Sequence, residues 1–292
     1  MIKHLVVVGA GLIGGSFALA LKQQGLVERV TGVGRSRANL EQALQLGVID
    51  HIGTSLGEAV RDADLVFAAI PVGAMPAMFR ELADTLPATA LITDAGSTKQ
   101  DVIAAARIAL AGPGGKIARF VPGHPIAGAE TNGAGAAQAQ LYEGKPVILT
   151  PLAENRPEDV DRIEALWIAT GARVARMNES DHDRVFAAVS HLPHLAAFAL
   201  MEELAERPDA EFFFRYAGSG FRDFSRIAGS HPEMWRDIAL ANRDALLEEL
   251  DTYIDKLEAI RGMIEARDGA GLEQLFARAR QARTNWIKGK YQ

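Results

Sequence analysis

There is no cysteine in the 292-residue chain. That removes disulfides, a thiol nucleophile and thiolate-held metals from consideration. Positive charge is also short: 31 Lys and Arg against 37 Asp and Glu leave a net charge of −6, which disfavours nucleic acid and anionic membrane surfaces as partners. A long uninterrupted apolar run is missing too. Residues 5–21 are uncharged, yet four glycines interrupt them, no small-residue cleavage site follows, and the stretch falls short of the ~20 residues a membrane helix needs. These absences predict a soluble, untargeted protein whose simplest setting is the cytoplasm. The length exceeds the ~100–200 residues usual for one domain, so two domains and a sizeable core are expected.

What is present at the start is LVVVGAGLIGGSFALALKQQG, an apolar β-branched run that passes through glycines into an alanine-rich helical pattern. Residues 5–8 read as a buried parallel strand. Gly9 permits a tight turn, Gly11 lets backbone approach a pyrophosphate, and Gly14 lets the new helix pack on the strand. With Leu12 and Ile13 these residues form a candidate dinucleotide-binding turn, in which the first N–H groups of the helix face the anion.

Short apolar runs at 30–33, 65–70, 90–93, 120–121, 147–149 and 174–175 alternate with helical stretches as far as Asn178. Such alternation predicts a doubly wound α/β domain, a parallel sheet with helices on both faces. Beyond it the strand signal stops, and helices are expected over 181–206, 232 to about 267, and 271–287. The predicted division is a dinucleotide-binding domain at 1–178 and an all-α domain at 179–292. Segments 111–115 and 133–139, rich in glycine and alanine, read as surface loops. Leu247, Leu250, Ile254, Leu257 and Ile264 keep an a/d-like spacing that suits burial within the subunit or, equally, a seam between two copies.

In NAD-binding versions of this fold an acidic residue about 20 residues past the glycine turn holds the ribose 2′-OH. Here the second strand ends TGVGRSR. Gly34 stands where the acid is expected, and Arg35, Ser36 and Arg37 follow. Cationic and hydroxyl donors suit a 2′-phosphate, so NADP is the expected cofactor and NAD the alternative.

Ligands in such sheets lie beyond the carboxyl ends of the strands. Three of those ends carry unusual residues: Pro71-Val72, the DAGSTK stretch containing Ser97, and the GHPIAG stretch containing His124. Pro71 is assigned to the cofactor. Ser97 and His124 fall near its nicotinamide end, His124 as a catalytic group and Ser97 as a functional one, although a serine there also suits a helix N-cap. In the helical part, His191 and His194 lie one turn apart with Pro193 between them to bend the helix. No carboxylate shares their face at i+3 or i+4, so no metal is expected; one histidine is read as structural and the other as a substrate contact. Arg222 and Arg226, among Phe221, Phe224 and Trp235, suit capture of a carboxylate or pairing with Asp223, Glu233 or Asp237.

Taken in order, GAGLIGGS, DAGSTK, GHPIAG, HDxxxAxxSHLPHxxAFAL and GFRDFSRIAxSxPxMWRDI resemble the prephenate/arogenate (cyclohexadienyl) dehydrogenases of tyrosine biosynthesis over nearly the whole chain. The resemblance implies a Rossmann domain followed by a helical dimerisation domain, a homodimer, and oxidative decarboxylation of the small molecule prephenate or arogenate with NAD(P). It makes His124 the base for the ring C4 hydroxyl and Ser97 a holder of that hydroxyl and the nicotinamide. It places His194 in the substrate site, Arg226 on a substrate carboxylate, and Asp223 and Trp235 near that pocket. Many relatives carry an aspartate at the end of the second strand, so Gly34-Arg35-Ser36 is a departure. The chain has no room for a fused mutase or regulatory domain, and inhibition by tyrosine is expected, if it occurs, at the active site. Two other readings share the layout. A β-hydroxyacid dehydrogenase or pyrroline carboxylate reductase lacks the paired GHPIAG and SHLPH motifs, and a non-enzymatic NADP-sensing module has no need of Ser97, His124 and Arg226 together.

Overall fold

The computed structural model of the chain describes residues 1–111, 115–128 and 132–289. Two compact units emerge, Met1–Arg243 and Asp244–Gln292. The first opens with β1 (Ile2–Val8), α1 (Leu12–Gln23), β2 (Val27–Val33), α2 (Arg37–Gln45), β3 (His51–Ile52) and α3 (Leu56–Ala59). It continues with β4 (Leu65–Ala68), α4 (Met75–Thr85), β5 (Leu91–Asp94), α5 (Gln100–Leu110) and β6 (Phe120–Val121). All six strands are parallel, in the order β3-β2-β1-β4-β5-β6, and the reversal of direction between β1 and β4 opens a crevice above their carboxyl ends. Each face of the sheet has its own core. Phe17, Phe67 and Trp167 mesh on one side, and Phe79 meets Phe120 edge-on at 5.0 Å on the other. The two-residue β3 is too short to carry any periodicity, and the sequence gives no sign of it.

Two glycines let α1 start directly off β1. Gly9 adopts φ 94°, and a Cβ on it would lie 2.3 Å from the Ala69 carbonyl oxygen; one on Gly14 would lie 2.2 Å from the carbonyl oxygen of Gly9.

The single parallel sheet expected from sequence ends at β6. β7 (Gly123–Pro125), β8 (Pro146–Leu149) and β9 (Arg173–Arg176), with α6 (Pro157–Ala169) before β9, form a separate three-stranded sheet in which β7 runs antiparallel to β8. Pro122 makes the break. It has no N–H for the β6 ladder, while its carbonyl accepts from the Thr150 amide at 3.0 Å and turns the chain toward β8. The expected surface loop at 133–139 is tied down: the buried Ala134 donates its N–H to Asn39 Oδ1, and Gln138 donates to Ser16 Oγ, each at 2.8 Å. Of the loop expected at 111–115, residues 112–114 lie outside the described residues.

One buried ion pair fixes where β7 begins. Lys99 Nζ and Asp94 Oδ2 meet at 2.5 Å with both side chains fully enclosed. Asp94 also accepts from the Gly96 and Gly123 amides at 2.8 and 2.9 Å, and Lys99 Nζ donates to the Gly123 carbonyl at 2.8 Å. The pair closes the loop after β5 and clamps the residue before His124.

The rest of the first unit is helical: α7 (Glu179–Phe186), a π turn at Ala187–His191, α8 (Leu192–Ala205), α9 (Ala210–Arg215), α10 (Ser219–Ser225), a 3₁₀ turn at Arg226–Gly229, and α11 (Pro232–Ala241). The helix expected at 181–206 is thus one run with a wide turn. Pro193, without an N–H and crowding the carbonyl four residues back, is accommodated by that turn. By length and composition Glu179–Ala205 is apolar enough to cross a membrane. Its first turns nevertheless hold His182 and Asp183, both buried and hydrogen-bonded inside this unit. The single helix expected from 232 to about 267 is two. Asn242 leaves the helical region at φ −101°, ψ 34°, because its amide donates to the Asp183 carbonyl at 2.8 Å and to His191 Nδ1 at 3.1 Å. The second unit is built from α12 (Arg243–Glu265) and α13 (Gly269–Ile287), the latter capped by Asp268, which accepts from the Gly271 amide.

Lys99→Met removes the cation and leaves the Asp94 carboxylate buried against amides alone. Urea denaturation is expected to show a loss of about 3–5 kcal/mol; stability within 1 kcal/mol of the parent, on the order of a surface substitution, contradicts the clamp.

Candidate active site

Beyond the carboxyl ends of β1, β4 and β5 lies a cavity of about 350 Å³, walled by residues 11–13, 69–72 and 95–97. Gly11 borders it, and a Cβ there would meet no protein atom within 4 Å. Packing therefore does not demand glycine at this position; the missing side chain leaves space at the start of α1, a helix that no side chain caps. A helix N-terminus facing an open cradle fits a diphosphate, so the site suits a nicotinamide dinucleotide. Leu12, Ile13, Pro71 and Ser97 line the same cavity, whereas Gly9 and Gly14 stand behind it and shape the turn. Arg35, Ser36 and Arg37 sit apart, at the start of α2. Ser36 Oγ caps the helix by accepting from the Asn39 amide, Arg37 pairs with Glu41, and Arg35 lies 3.6 Å from Glu233.

A second cavity of about 470 Å³ adjoins the first, and His124, Pro125 and Asn132 line both. Its wall includes Ser190, His194, Arg226, Ser230, His231 and Trp235. His194 stacks on Trp235 with ring centres 3.7 Å apart and is held by the Ser190 carbonyl, 2.8 Å from its Nδ1. Asp223 does not line this cavity; it is exposed on α10, a turn before Arg226. The other histidine of SHLPH, His191, is buried beside Asn242 and meets the same Trp235 ring edge-on, with ring centres 6.0 Å apart, but does not line the cavity; among the described residues no three potential metal ligands gather. Ser97 does not cap α5, whose first turn begins only at Gln100.

The α5 cap comes from a residue that sequence reasoning passed over. Asp183 accepts from the Lys99 and Gln100 amides at 2.8 and 2.9 Å. It also accepts from His182 Nδ1 at 2.7 Å, and His182 Nε2 lies 2.9 Å from His124 Nδ1. The HD pair opening the helical segment was the available signal, but only the fold brings it to β7.

Burial dominates the electrostatics. The His124 ring reaches the cavity at one edge but is otherwise surrounded by protein; that desolvation, with the positive charge of Lys99 nearby, pushes its pKa well below 6.5. His182 is also pushed down by burial, partly offset by Asp183. Burial raises Asp183, yet hydrogen bonds from His182 and the α5 amides outweigh it and hold the carboxyl below its ordinary value. His194 is lowered by burial, and His191 is lowered to about 4 for the same reason. The imidazoles are therefore neutral at pH 7, able to accept protons, with Arg226 as a permanent cation in the same cavity.

Comparison with known proteins finds two family models along the chain, meeting well before the boundary between the two compact units. Residues 17–176 match the family model described as prephenate dehydrogenase, nucleotide-binding domain, and residues 178–278 match prephenate dehydrogenase, dimerization domain. Prephenate dehydrogenase of Bacillus subtilis is 37% identical over 96% of this chain and 75% of its own length. Cyclohexadienyl dehydrogenase of Zymomonas mobilis is 37% identical over 96% of this chain and 95% of its own. Among solved structures, prephenate dehydrogenase of Aquifex aeolicus in complex with hydroxyphenyl propionate and NAD+ superposes with a TM-score of 0.89 at 33% identity, covering 98% of both chains. Synechocystis arogenate dehydrogenase gives 0.79 at 29%, over 97% of this chain and all of that one.

Each depressed histidine binds its proton more weakly folded than unfolded, so its contribution to stability is intact above pH 6.5 and declines as the pH falls toward the folded value. For His191 alone, a drop from 6.5 to about 4 corresponds to about 3 kcal/mol. Thermal unfolding at pH 7, 6, 5 and 4 is expected to show a falling Tm below 6.5, and a flat profile contradicts the neutral buried histidines.

Proposed function

The chain belongs to the prephenate dehydrogenase family, and on that premise we propose prephenate ahead of arogenate as its substrate, NADP ahead of NAD as its cofactor, and His124 as its base. The protein is a nicotinamide-dependent dehydrogenase of tyrosine biosynthesis that oxidatively decarboxylates a cyclohexadienyl acid. The position of His124 where the two cavities join, with Arg226 in the wall of the larger, carries the assignment of roles.

A nicotinamide dinucleotide held by the glycine turn at residues 11–13 with Pro71 and Ser97 would supply the acceptor for the hydride of ring C4. His124 takes the C4 hydroxyl proton as the carbonyl forms; loss of carbon dioxide from C1 then aromatises the ring, and the resulting phenolate recovers that proton. The product is strongly favoured, so the protein has mainly to align and deprotonate. Ser97 and His124 hold the hydroxyl, the stacked His194 and Trp235 confine the ring, and Arg226 grips a carboxylate. The prephenate preference rests on the groups that line the cavity with Arg226 and can donate, namely Ser190, Ser230 and His231. They suit a keto-dicarboxylate, whereas the ammonium of arogenate would face the arginine.

The NADP preference rests on Gly34 in place of an acid and on Arg35, Ser36 and Arg37 at the N-terminus of α2, where a phosphate is favoured. The Aquifex relative holds NAD+, and Glu233 beside Arg35 competes with a 2′-phosphate, so the discrimination is a matter of degree. Functionally we divide the chain into a nucleotide-binding part at 1–178 and a substrate-binding and dimerising part at 179–292. A homodimer is supported by the dimerization-domain match and by Leu247, Ile254, Leu257 and Ile264, which stand exposed along α12. Tyrosine, which shares the product's phenol ring, is proposed to inhibit by occupying the larger cavity, and the cytoplasm is the proposed setting.

Steady-state assays with both acids and both cofactors test the specificities: kcat/KM is expected to be highest for prephenate with NADP, and a higher value with NAD or with arogenate overturns the corresponding preference. His124→Asn is expected to lower kcat by about 10²–10⁴ with cofactor affinity retained. Arg226→Ala, losing a charge-assisted hydrogen bond, is expected instead to raise KM about ten- to a hundredfold. Near-parental turnover in the first or unchanged saturation in the second removes that role.

A further inference from the structure

Behind His124 stands a chain of buried groups that line neither cavity. Asp183 Oδ1 lies 2.7 Å from His182 Nδ1, and His182 Nε2 lies 2.9 Å from His124 Nδ1. His182 and Asp183 are fully buried, and the Phe186 ring covers both imidazoles, with ring centres 4.9 Å from His124 and 4.6 Å from His182. We propose that His182 and Asp183 are positioning residues that set the tautomer of His124, keeping Nδ1 protonated and the Nε2 lone pair directed into the cleft, and that share the positive charge when Nε2 takes a proton. The proposal rests on His124 being the base.

The proton count follows from the donors. Asp183 receives three hydrogen bonds, from two backbone amides and from His182. An ionised carboxylate can only accept, so His182 Nδ1 carries a hydrogen. A neutral His182 then has a bare Nε2, and the contact to His124 requires that the hydrogen between them sit on His124 Nδ1. His124 Nε2 is left unprotonated on the cavity side. A free imidazole favours the opposite tautomer, with Nε2 protonated, which cannot accept the substrate proton there. When His124 becomes cationic, its Nδ1 hydrogen can shift to His182 Nε2, so that the charge lies beside Asp183: one N–H bond breaks, one forms, and no further reactant is needed.

The other ionisable groups facing this chain do not supply the same function. Lys99 faces both rings but is bound to Asp94. His191 faces them from the π turn, and Asp101 of α5 faces Asp183. Neither makes a hydrogen bond to His124 or His182 among the described residues.

His182→Leu and His182→Gln, compared in kcat, KM and pH dependence, test the assignment, with the ¹⁵N NMR signals of His124 in the parent enzyme as an independent readout. Leucine is expected to lower kcat by about 10²-fold while KM stays within about twofold, and to shift the acid limb of kcat/KM to lower pH. Glutamine, whose Oε1 can accept from Nδ1–H, is expected to recover about tenfold of that loss. The parent His124 should show Nδ1 protonated and Nε2 bare. Turnover of His182→Leu near the parent's, with His124→Asn inactive, overturns the relay and leaves the base intact; an active His124→Asn overturns the base itself. Glutamine no better than leucine overturns the positioning role. Should leucine prevent folding, the NMR signals decide, and an Nε2-protonated His124 in the parent overturns the proposal.

Discussion

The carboxylate of Asp183 holds three parts of the first unit in register. One oxygen takes the Lys99 amide and the His182 ring, the other takes the Gln100 amide, and its residue's own carbonyl accepts from Asn242. A buried ionised acid is unfavourable unless its lone pairs are used, and here they are used by α5, by α7 and, through the backbone, by the residue that ends α11. The position of His124 follows from this junction on one side and from the Asp94–Lys99 clamp on the other. The placement of the candidate base is thus inherited from groups whose first task is satisfying one another.

The two halves of the cleft use different physics. The cofactor half is largely backbone: a strand, a glycine turn and a helix start, which recognise phosphate through N–H groups and a dipole. The substrate half is made of side chains from β7 and from π, 3₁₀ and α segments, and burial pushes the pKa values of His124 and His194 down within it. A cavity that combines the Arg226 guanidinium with unprotonated imidazoles has two requirements to meet. The two requirements are compatible because imidazole responds to desolvation within the pH range of the cell, whereas guanidinium does not.

Helix α11 touches both halves. Trp235 walls the substrate cavity, Glu233 lies near Arg35, and Asp237 approaches so closely that a Cβ on Gly73 would come within 2.5 Å of its carboxylate. One short helix therefore meets both cavities and the start of α2, and Gly73 is the concession the loop after β4 makes to its approach.

Much of this was legible in the residues. The glycine turn follows from local sterics, since only a residue without Cβ fits against Ala69 or Gly9, and the parallel strands follow from apolar runs buried on both faces. Ser97 and His124 stood out at strand ends, His194 on an otherwise apolar helix, and Arg226 as an arginine set among aromatic residues that include Trp235. What only the tertiary structure decided was pairing at a distance: that β7 leaves the main sheet for β8, that Asn242 splits a helix, and that His182 and Asp183 stand behind His124, 58 residues away along the chain for the two histidines. Hydrophobic period and turn chemistry act over a few residues and are written locally. A hydrogen bond between remote side chains depends on how finished elements pack, and no local pattern encodes it.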